Sequence, residues 1–401
     1  MGEASWEAIV IRLRSLIGML AIGLVLGACG EGPPTTTGGD ADDRESAATD
    51  DAATDDEEAA TGWDEVYAEI AGLEGQERTD RLVELAEDAG GVIRFYSTMN
   101  GDEGFALVDA FNETYGLEVD FYRASARNVA QRTVQEYNAG YDNSADVISA
   151  SGTEMVILDR EGVFAEFNSP VHDEYPEIAV ESDGQWVWVY ATYFTPVWNT
   201  ELVSPDEEPE TWMDVLTNFG GRCVFESKAH EWLASLIPHL MQEEGLSEDE
   251  ATDLVRDAAE GCIAAVSGQS LVTNLVASGE YDISFVTSHH SVRRLMDDGA
   301  PVAWFDPPAV VFGSANGVSP NALAPNPAGG LLFAEFMLSP EGGQIIAEFG
   351  RSAAHPDVEL GAIDPGYTVI SADLEGVIDE AEHWEGLYEE LNTLAGGVIE
   401  D

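Results

Sequence analysis

Short polar side chains recur where predicted strands give way to predicted helices. The members of this set are Ser97, Thr98, Asn100, Ser125, Ser149, Ser151, Gly152, Thr153, Gln269, Ser270 and Ser288. Several of them directly precede helices, where free backbone N–H groups and the helix dipole attract anions. The pattern suits a phosphate, phosphonate, sulfonate or carboxylate, to which Arg123 and Arg127 could add charge-assisted bonds. Such residues are also ordinary helix caps and turn formers, so this structural interpretation stays open.

Two adjacent histidines, His289 and His290, follow Ser288 in the sequence. Imidazole binds metals and also hydrogen-bonds to anions. Adjacent side chains of an extended or loop segment point apart, which makes chelation of one ion by both histidines unfavourable. If the chain holds a metal, His289 or His290 is the candidate ligand. The alternative is that one ring faces a ligand while the other packs or is exposed.

The first 62 residues predict a leader and a tether. Arg12 and Arg14 precede an apolar run that ends in Leu26-Gly27-Ala28-Cys29. This arrangement indicates an export signal over residues 1–28, and the run is too short for a comfortable transmembrane span. The tetrapeptide resembles the lipobox of bacterial lipoproteins, which implies cleavage before Cys29 and lipidation of its thiol. An ordinary signal peptide is the alternative. Residues 29–62 then form an acidic, disordered linker before a folded body at 63–401.

Cysteine usage follows from that export prediction. With Cys29 carrying lipid, Cys223 and Cys262 remain as an even pair, for which a disulfide is the default in an exported protein. Two buried free thiols are the alternative. Two cysteines alone supply too few ligands for a metal site.

Strand and helix patterns alternate through the folded body. Val92 to Tyr96, Val119 to Tyr122 and Asp146 to Ile148 read as strands with helices between them, and a second set runs from Val224 to Val286. This rhythm predicts mostly parallel, doubly wound α/β sheets, which bind ligands at the carboxyl ends of their strands. Trp186–Tyr190 and Pro196–Trp198 are expected to be separate extended segments. The last helix is expected over 374–395.

The charge balance excludes several partners. The chain has 77 Asp and Glu against 16 Lys and Arg, a formal net charge of −61, and Lys228 is the only lysine. Such a field repels nucleic acid and anionic lipid. It indicates a solvated acidic surface suited to a salty habitat, with a cation reservoir as the alternative. No GxSxG, HExxH or P-loop pattern occurs, so we expect no enzymatic activity. A secreted enzyme on an α/β scaffold is the remote alternative.

A series of motifs over about 91–350 resembles a known family. The motifs are Phe95-Tyr96-Ser97-Thr98-Met99-Asn100, Ala110-Phe111-Asn112, Tyr122-Arg123-Ala124-Ser125, Ala145-Asp146-Val147, Trp198-Asn199-Thr200-Glu201-Leu202-Val203, Pro209-Glu210-Thr211-Trp212, Ala277-Ser278-Gly279-Glu280-Tyr281-Asp282 and Leu338-Ser339-Pro340-Glu341-Gly342-Gly343. In this order, behind a lipobox, they are similar to bacterial extracellular solute-binding proteins of the iron(III)-transport type, which serve ABC importers.

The resemblance implies a two-lobed, type II periplasmic-binding-protein fold. Each lobe would be a mostly parallel sheet flanked by helices, and hinge strands would join the lobes. Lobe 1 is expected at about 91–190 and 300–350, and lobe 2 at about 195–299 and 351–401. The implied function is capture of a small solute in the cleft and delivery to a permease with its ATPase. We expect a monomer that is held to the cell membrane only by its lipid and faces the periplasm or cell exterior.

The resemblance does not extend to the family's iron ligands. Many of its iron binders carry adjacent tyrosines where this chain has Ser288-His289-His290-Ser291, and Asn100 stands where a histidine can occur. Ferric iron and an organic, phosphorus or sulfur oxyanion therefore both remain candidate cargo, and no other cofactor is expected. The expected ligand-binding residues are Ser97, Thr98, Asn100, Ser125, Ser151, Gly152, Tyr193, Gln269, Ser270, Ser288, His289 and His290.

Overall fold

The computed structural model describes residues 62–181 and 184–399. The predicted signal peptide, Cys29 and nearly all of the predicted acidic linker lie outside the described residues. No helix within the described ranges is long and apolar enough to cross a bilayer.

The described chain alternates strands with helices, as predicted. The strands are β1 (Val92–Ser97), β2 (Glu118–Arg123), β3 (Val147–Ser151), β4 (Val180–Glu181), β5 (Trp186–Asn199), β6 (Cys223–Glu226), β7 (Ala264–Val266), β8 (Ile283–Ser288), β9 (Val302–Ala303), β10 (Val310–Pro320), β11 (Ser352–Ala353), β12 (Thr368–Ser371) and β13 (Val398–Ile399). The helices are α1 (Gly62–Ile70), α2 (Gly75–Asp88), α3 (Gly101–Tyr115), α4 (Ala126–Asn138), α5 (Gly152–Arg160), α6 (Trp212–Asn218), α7 (His230–Glu244), α8 (Glu248–Gly261), α9 (Gln269–Ala277), α10 (His289–Asp297), α11 (Pro327–Leu338), α12 (Pro340–Glu348), α13 (Leu374–Asp379) and α14 (Ala381–Leu394).

One curled mixed sheet runs through the molecule in the order β13-β7-β6-β8-β5-β10-β3-β1-β2. Strands β1, β2 and β3 are parallel, and so are β6, β7 and β8. The long strands β5 and β10 stand between these two parallel groups and run antiparallel to their neighbours. We call the part of the sheet from β10 to β2 with its helices the first half, and the part from β8 to β13 with its helices the second half.

Each half has its own apolar core. In the first half, Phe95, Phe111 and Phe333 are fully buried and pack with ring centroids about 5 Å apart, at 4.9 Å for Phe95–Phe333 and for Phe111–Phe333. In the second half, the ring centroid of Trp212 lies 5.9 Å from that of Trp232 and 5.1 Å from that of Phe312. Full burial of one such side chain contributes roughly 1.5–3 kcal/mol. These cores fix the strand ends on which the polar residues stand.

The prediction of one helix over 374–395 is wrong. The structure has α13 and α14 instead, separated at Glu380, whose backbone leaves the helical region. The physical reason is packing: α13 contacts α5 of the first half, whereas α14 packs on α8 of the second half. One straight helix cannot serve both neighbours.

Strand β5 also differs from the expectation of two extended segments. It is continuous from Trp186 to Asn199 because β10 pairs with its first part and β8 with its last part. Irregular registers at Thr195/Val197 and Asn316/Gly317 accommodate the change of partner.

Candidate functional site

Four helices at the carboxyl ends of strands have a polar N-cap residue whose side chain does not cap the helix. Asn100, Ser125, Ser151 and Ser288 are the N-cap residues of α3, α4, α5 and α10, and none makes a side-chain capping hydrogen bond. Elsewhere Thr211, Ser247, Asn326, Ser339 and Asp373 do cap their helices through their side chains. Serine and asparagine are strong caps when they are free to act. The first group therefore leaves helix-start N–H groups available at the strand ends.

Neighbouring predicted residues in the first half lie side by side. The amide of Thr98 donates to the carbonyl of Ser149 at 3.1 Å, and that of Ala124 donates to Ser97 at 3.2 Å. Ser97 is fully buried, and its Oγ accepts from the amide of Met99 at 3.1 Å, so it shapes the turn after β1. Asn100 donates to Glu103 Oε1 at 3.2 Å. The ends of β1, β2 and β3 thus bring three helix starts to one edge.

Two predicted residues at the start of α5 have other roles. The hydroxyl of Ser151 bonds to Glu154, whose pKa is raised by burial. Gly152 is close-packed: a Cβ there would lie 2.5 Å from Leu374 and 3.2 Å from the carbonyl oxygen of Ala315. A side chain at this position would displace the end of the Leu374 side chain and press on that carbonyl oxygen. The structure therefore gives Gly152 a packing role that the spacing in the sequence did not reveal.

Strand β5 sets the separation between the two groups of helix starts. Ser151 pairs through Asn316 of β10 with Tyr190 of β5, and Ser288 pairs with Phe194. The two helix starts are therefore offset by four residues along β5, which is about 13 Å, and they also lie on opposite sides of this strand. We call the space between the two groups of helix starts the gap.

Arg351 connects the two sides of this gap. Its guanidinium donates to both carboxylate oxygens of Glu103, at 3.1 and 3.3 Å, and to Nε2 of His290 at 3.2 Å. Glu103 belongs to the first turn of α3, and His290 belongs to α10 of the second half. A second contact joins the halves where Thr153 Oγ1 donates to Glu231 at 2.5 Å. Sequence reasoning missed Arg351, because nothing near it in the chain marks it as a partner of His290.

The Arg351 bond fixes the proton of His290. Arginine only donates, so Nε2 of His290 must accept and the neutral ring carries its proton on Nδ1. Burial, and next the charge of Arg351, lower the pKa of His290 to about 2, so the ring stays neutral. Its Nδ1 is buried and has no hydrogen-bond partner. His290 thus holds an unsatisfied N–H donor, and an acceptor from a ligand would satisfy it.

His289 and His290 were expected to lie on a loop, but they are the first two residues of α10. Ser288 ends β8 and serves as the N-cap, so the chain turns directly from strand to helix. Successive residues of a helix point about 100° apart. Accordingly, His289 is buried against Ser352, Tyr193 and Trp304, while His290 lies against Arg351. Tyr193 therefore packs edge-on against His289, with ring centroids 5.1 Å apart.

Gln269 and Ser270 begin α9, whose N-cap residue Gly268 has no side chain that could cap the helix. The amide of Gly268 donates to Glu226 at 3.2 Å. Glu226 also accepts from the amide of Lys228 at 2.8 Å, and burial raises its pKa. A buried carboxylate therefore lies beside this helix start.

Lys228 is a candidate contact for a ligand. The sequence identifies it as the only lysine of the chain but does not show where it lies. It follows β6, whose carboxyl end lies beside that of β8, and its side chain is exposed. Glu231, three residues later, contacts Thr153 of the first half. The only lysine of the chain therefore stands within one helical turn of the gap.

Metal-ligand chemistry is sparse in the described ranges. They contain no cluster of three or more His, Cys, Asp and Glu side chains that could hold an ion. Of the two candidate ligands, His290 turns its basic nitrogen to a guanidinium, which repels a cation. His289 has Ser352 at Nε2.

Cys223 and Cys262 are joined by a disulfide. The bond links the first residue of β6 to the residue that ends α8. Both sulfurs lie in the core of the second half, away from the helix starts.

Comparisons with known proteins agree with this geometry. The family model described as bacterial extracellular solute-binding protein matches residues 106–367. No curated protein matches the sequence. A Trichodesmium protein (IdiA, FutA) solved with iron and citrate is 20% identical, has a TM-score of 0.61, and aligns over 75% of this chain and 99% of its own. A ferric binding protein from Campylobacter jejuni is 17% identical, with a TM-score of 0.62 and the same coverages.

A third solved structure carries a different ligand. The periplasmic binding protein AfuA from Actinobacillus pleuropneumoniae, with fructose-6-phosphate bound, is 19% identical, has a TM-score of 0.60, and aligns over 75% of this chain and 98% of its own. These likenesses show the two-lobed periplasmic-binding fold, and the family binds solutes outside the cytoplasm, so the chain is exported. The match over most of the folded body identifies this chain as a member of the bacterial extracellular solute-binding proteins.

Proposed function

We propose that this protein captures a small solute bearing an oxyanion in the gap between its halves and delivers it to an ABC permease, without converting it. The halves act as lobes of about 91–190 with 300–350 and about 195–299 with 351–401. The chain works as a monomer, and lipid on Cys29 holds it to the outer face of the cell membrane.

The observation that carries this proposal is the set of uncapped helix starts, together with an unpartnered donor on His290 in the first turn of one of these helices. Asn100, Ser125, Ser151 and Ser288 leave N–H groups without side-chain caps, and His290 Nδ1–H has no acceptor. Both features supply donors, and an oxyanion supplies only acceptors. A buried donor without a partner costs about 1–3 kcal/mol, which a bound oxyanion would recover.

The residue types near these donors favour an oxyanion over ferric iron. Ferric iron needs hard anionic ligands such as phenolates, and the chain has histidines where related iron binders carry tyrosines. Arg351 supports His290 and is itself paired with Glu103, and Arg123, whose Nε donates to the Met99 carbonyl at 3.3 Å, stands at the end of β2.

Thermal unfolding of the full chain at high salt tests the ligand class. The probes are phosphate, methylphosphonate, methanesulfonate, citrate and ferric citrate. A ligand at 100 times its Kd adds about 2.7 kcal/mol to the free energy of unfolding. We expect at least one iron-free oxyanion to raise the melting temperature. A shift with ferric citrate and none with any iron-free probe would establish iron as the cargo and refute the proposal.

A charge placed at one uncapped start provides the matched test. Ser125→Asp supplies a carboxylate cap that satisfies the start of α4 and repels an oxyanion, and we expect it to weaken binding at least about tenfold. Ser247→Asp makes the same change at the start of α8, where the side chain already caps. Equal effects of the two variants would show that only overall charge matters.

A further inference from the structure

A second cavity lies on the other side of α10 from His290. Its volume is about 370 Å³. One wall is a single face of α10, formed by His289, Arg293 and Asp297 at helical spacing. The rest of the lining is formed by Trp304, Pro307, residues 362–364 and Tyr367. None of the uncapped N-cap residues lines this cavity, so it is a separate space.

Aromatic rings line this cavity from end to end. Trp304 stacks on Tyr367, with ring centroids 5.1 Å apart and planes at 26°, and lies 5.8 Å from the ring of His289. The three rings make a continuous apolar wall. Such a wall packs well against the C–H groups of a small ring compound.

The neighbours of His289 place its proton on Nε2, whereas His290 carries its proton on Nδ1. The hydroxyl of Ser352 donates to the carbonyl of Gly361 at 2.5 Å, so its oxygen accepts from Nε2–H of His289 at 3.0 Å. Burial lowers the pKa of His289 to about 3, so the ring is neutral and its Nδ1 is a bare acceptor. That Nδ1 is buried without a partner, and the residue is 1% exposed.

The remaining polar groups of the cavity decide the charge of its ligand. Asp297 and Asp364 add acceptors, so an anion would meet two carboxylates. Arg293, which donates to the Ala362 carbonyl at 3.4 Å, adds one positive charge that opposes a cation. A neutral molecule with several hydroxyl donors and an apolar ring face satisfies all of these groups.

We propose that this cavity is a second binding site, which takes a neutral polyhydroxylated solute of about monosaccharide to disaccharide size. Hydroxyl groups donate to Asp297 and Asp364 and accept from Arg293, while the ring of the solute packs on Trp304 and Tyr367. The site adjoins one uncapped helix start, because His289 is the first residue of α10, but it contains none of the residues at the other three starts.

Isothermal titration of the full chain with glucose and trehalose tests this site. We expect millimolar binding of at least one sugar and about tenfold weaker binding in Asp297→Ala, which loses a charged acceptor. Asp298→Ala is the matched control, since Asp298 is the next residue and does not line the cavity.

Several outcomes would overturn the proposal. The first is that neither sugar gives heat at about 50 mM, a concentration well above a Kd of about 1 mM. The second is that Asp297→Ala and Asp298→Ala bind the sugar equally well. The third is that spermidine or acetate binds more tightly than the sugars at this cavity. Ser125→Asp separates the two proposals: it should leave sugar binding unchanged even if it abolishes oxyanion binding. Loss of sugar binding in that variant would place the sugar in the gap instead.

Discussion

Replacing His290 by phenylalanine is the most direct test of the donor facing the gap. Phenylalanine keeps the ring volume, and Arg351 keeps both bonds to Glu103, so the fold should tolerate the change. The variant loses the Nδ1–H donor. A hydrogen bond to a charged acceptor contributes about 1.5–3 kcal/mol, so we expect Kd for the oxyanion to rise by about 10- to 150-fold.

Titration calorimetry with the best iron-free oxyanion measures this change. His290→Asn retains an amide near Nδ1 and should recover part of the affinity, whereas His383→Phe, an exposed histidine of α14, should leave Kd unchanged. Because the pKa of His290 is lowered to about 2, the ring stays neutral from pH 5 to 8, and affinity should show no histidine titration there. Unchanged affinity in His290→Phe, or binding that strengthens as pH falls through 6.5, would refute the reasoning.

Three further predictions address charge and stability. The formal charge of −61 repels an oxyanion over a distance that shrinks from about 30 Å at 0.01 M salt to 3 Å at 1 M, so stopped-flow association should accelerate with salt; slowing would contradict the proposed ligand charge. Cys223→Ala with Cys262→Ala opens a link across 39 residues and should lower the free energy of unfolding by about 4 kcal/mol in denaturant titration, whereas an unchanged value would mean that the bridge is not formed. Burial raises the pKa of Asp146 to about 7, so its contribution, on the order of 4 kcal/mol, is present below pH 4 and is lost as pH rises through 7. Asp146→Asn should flatten this slope between pH 4.5 and 8, and an equal slope in both proteins would exclude this role.

Local signals in the sequence determined much of the fold. Ser247 and Glu250 have the sequence spacing of a capping box, and both of its hydrogen bonds are present. Asn326-Pro327 and Ser339-Pro340 likewise start helices. Such signals work because a cap and its helix lie within four residues, so that no distant contact can change them.

Failures arose where a distant neighbour decides the conformation. Glu380 interrupts a helical pattern because α13 and α14 pack on different halves, and the sequence near Glu380 contains no sign of that division. The contact between Gly152 and Leu374, more than 200 residues later, is likewise invisible in the local sequence, and the ligand contact expected of Gly152 stays a prediction.

The sequence by itself determined that the chain alternates strands and helices, that polar residues stand at the strand ends, and which family it resembles. Only the tertiary structure decided which of those residues lack a partner. Arg351 gives His290 a free donor, and Ser352 gives His289 a free acceptor, so two identical neighbours acquire opposite chemistry. A histidine's proton is placed by the hydrogen bonds of its ring, and here those bonds come from residues more than 60 positions away.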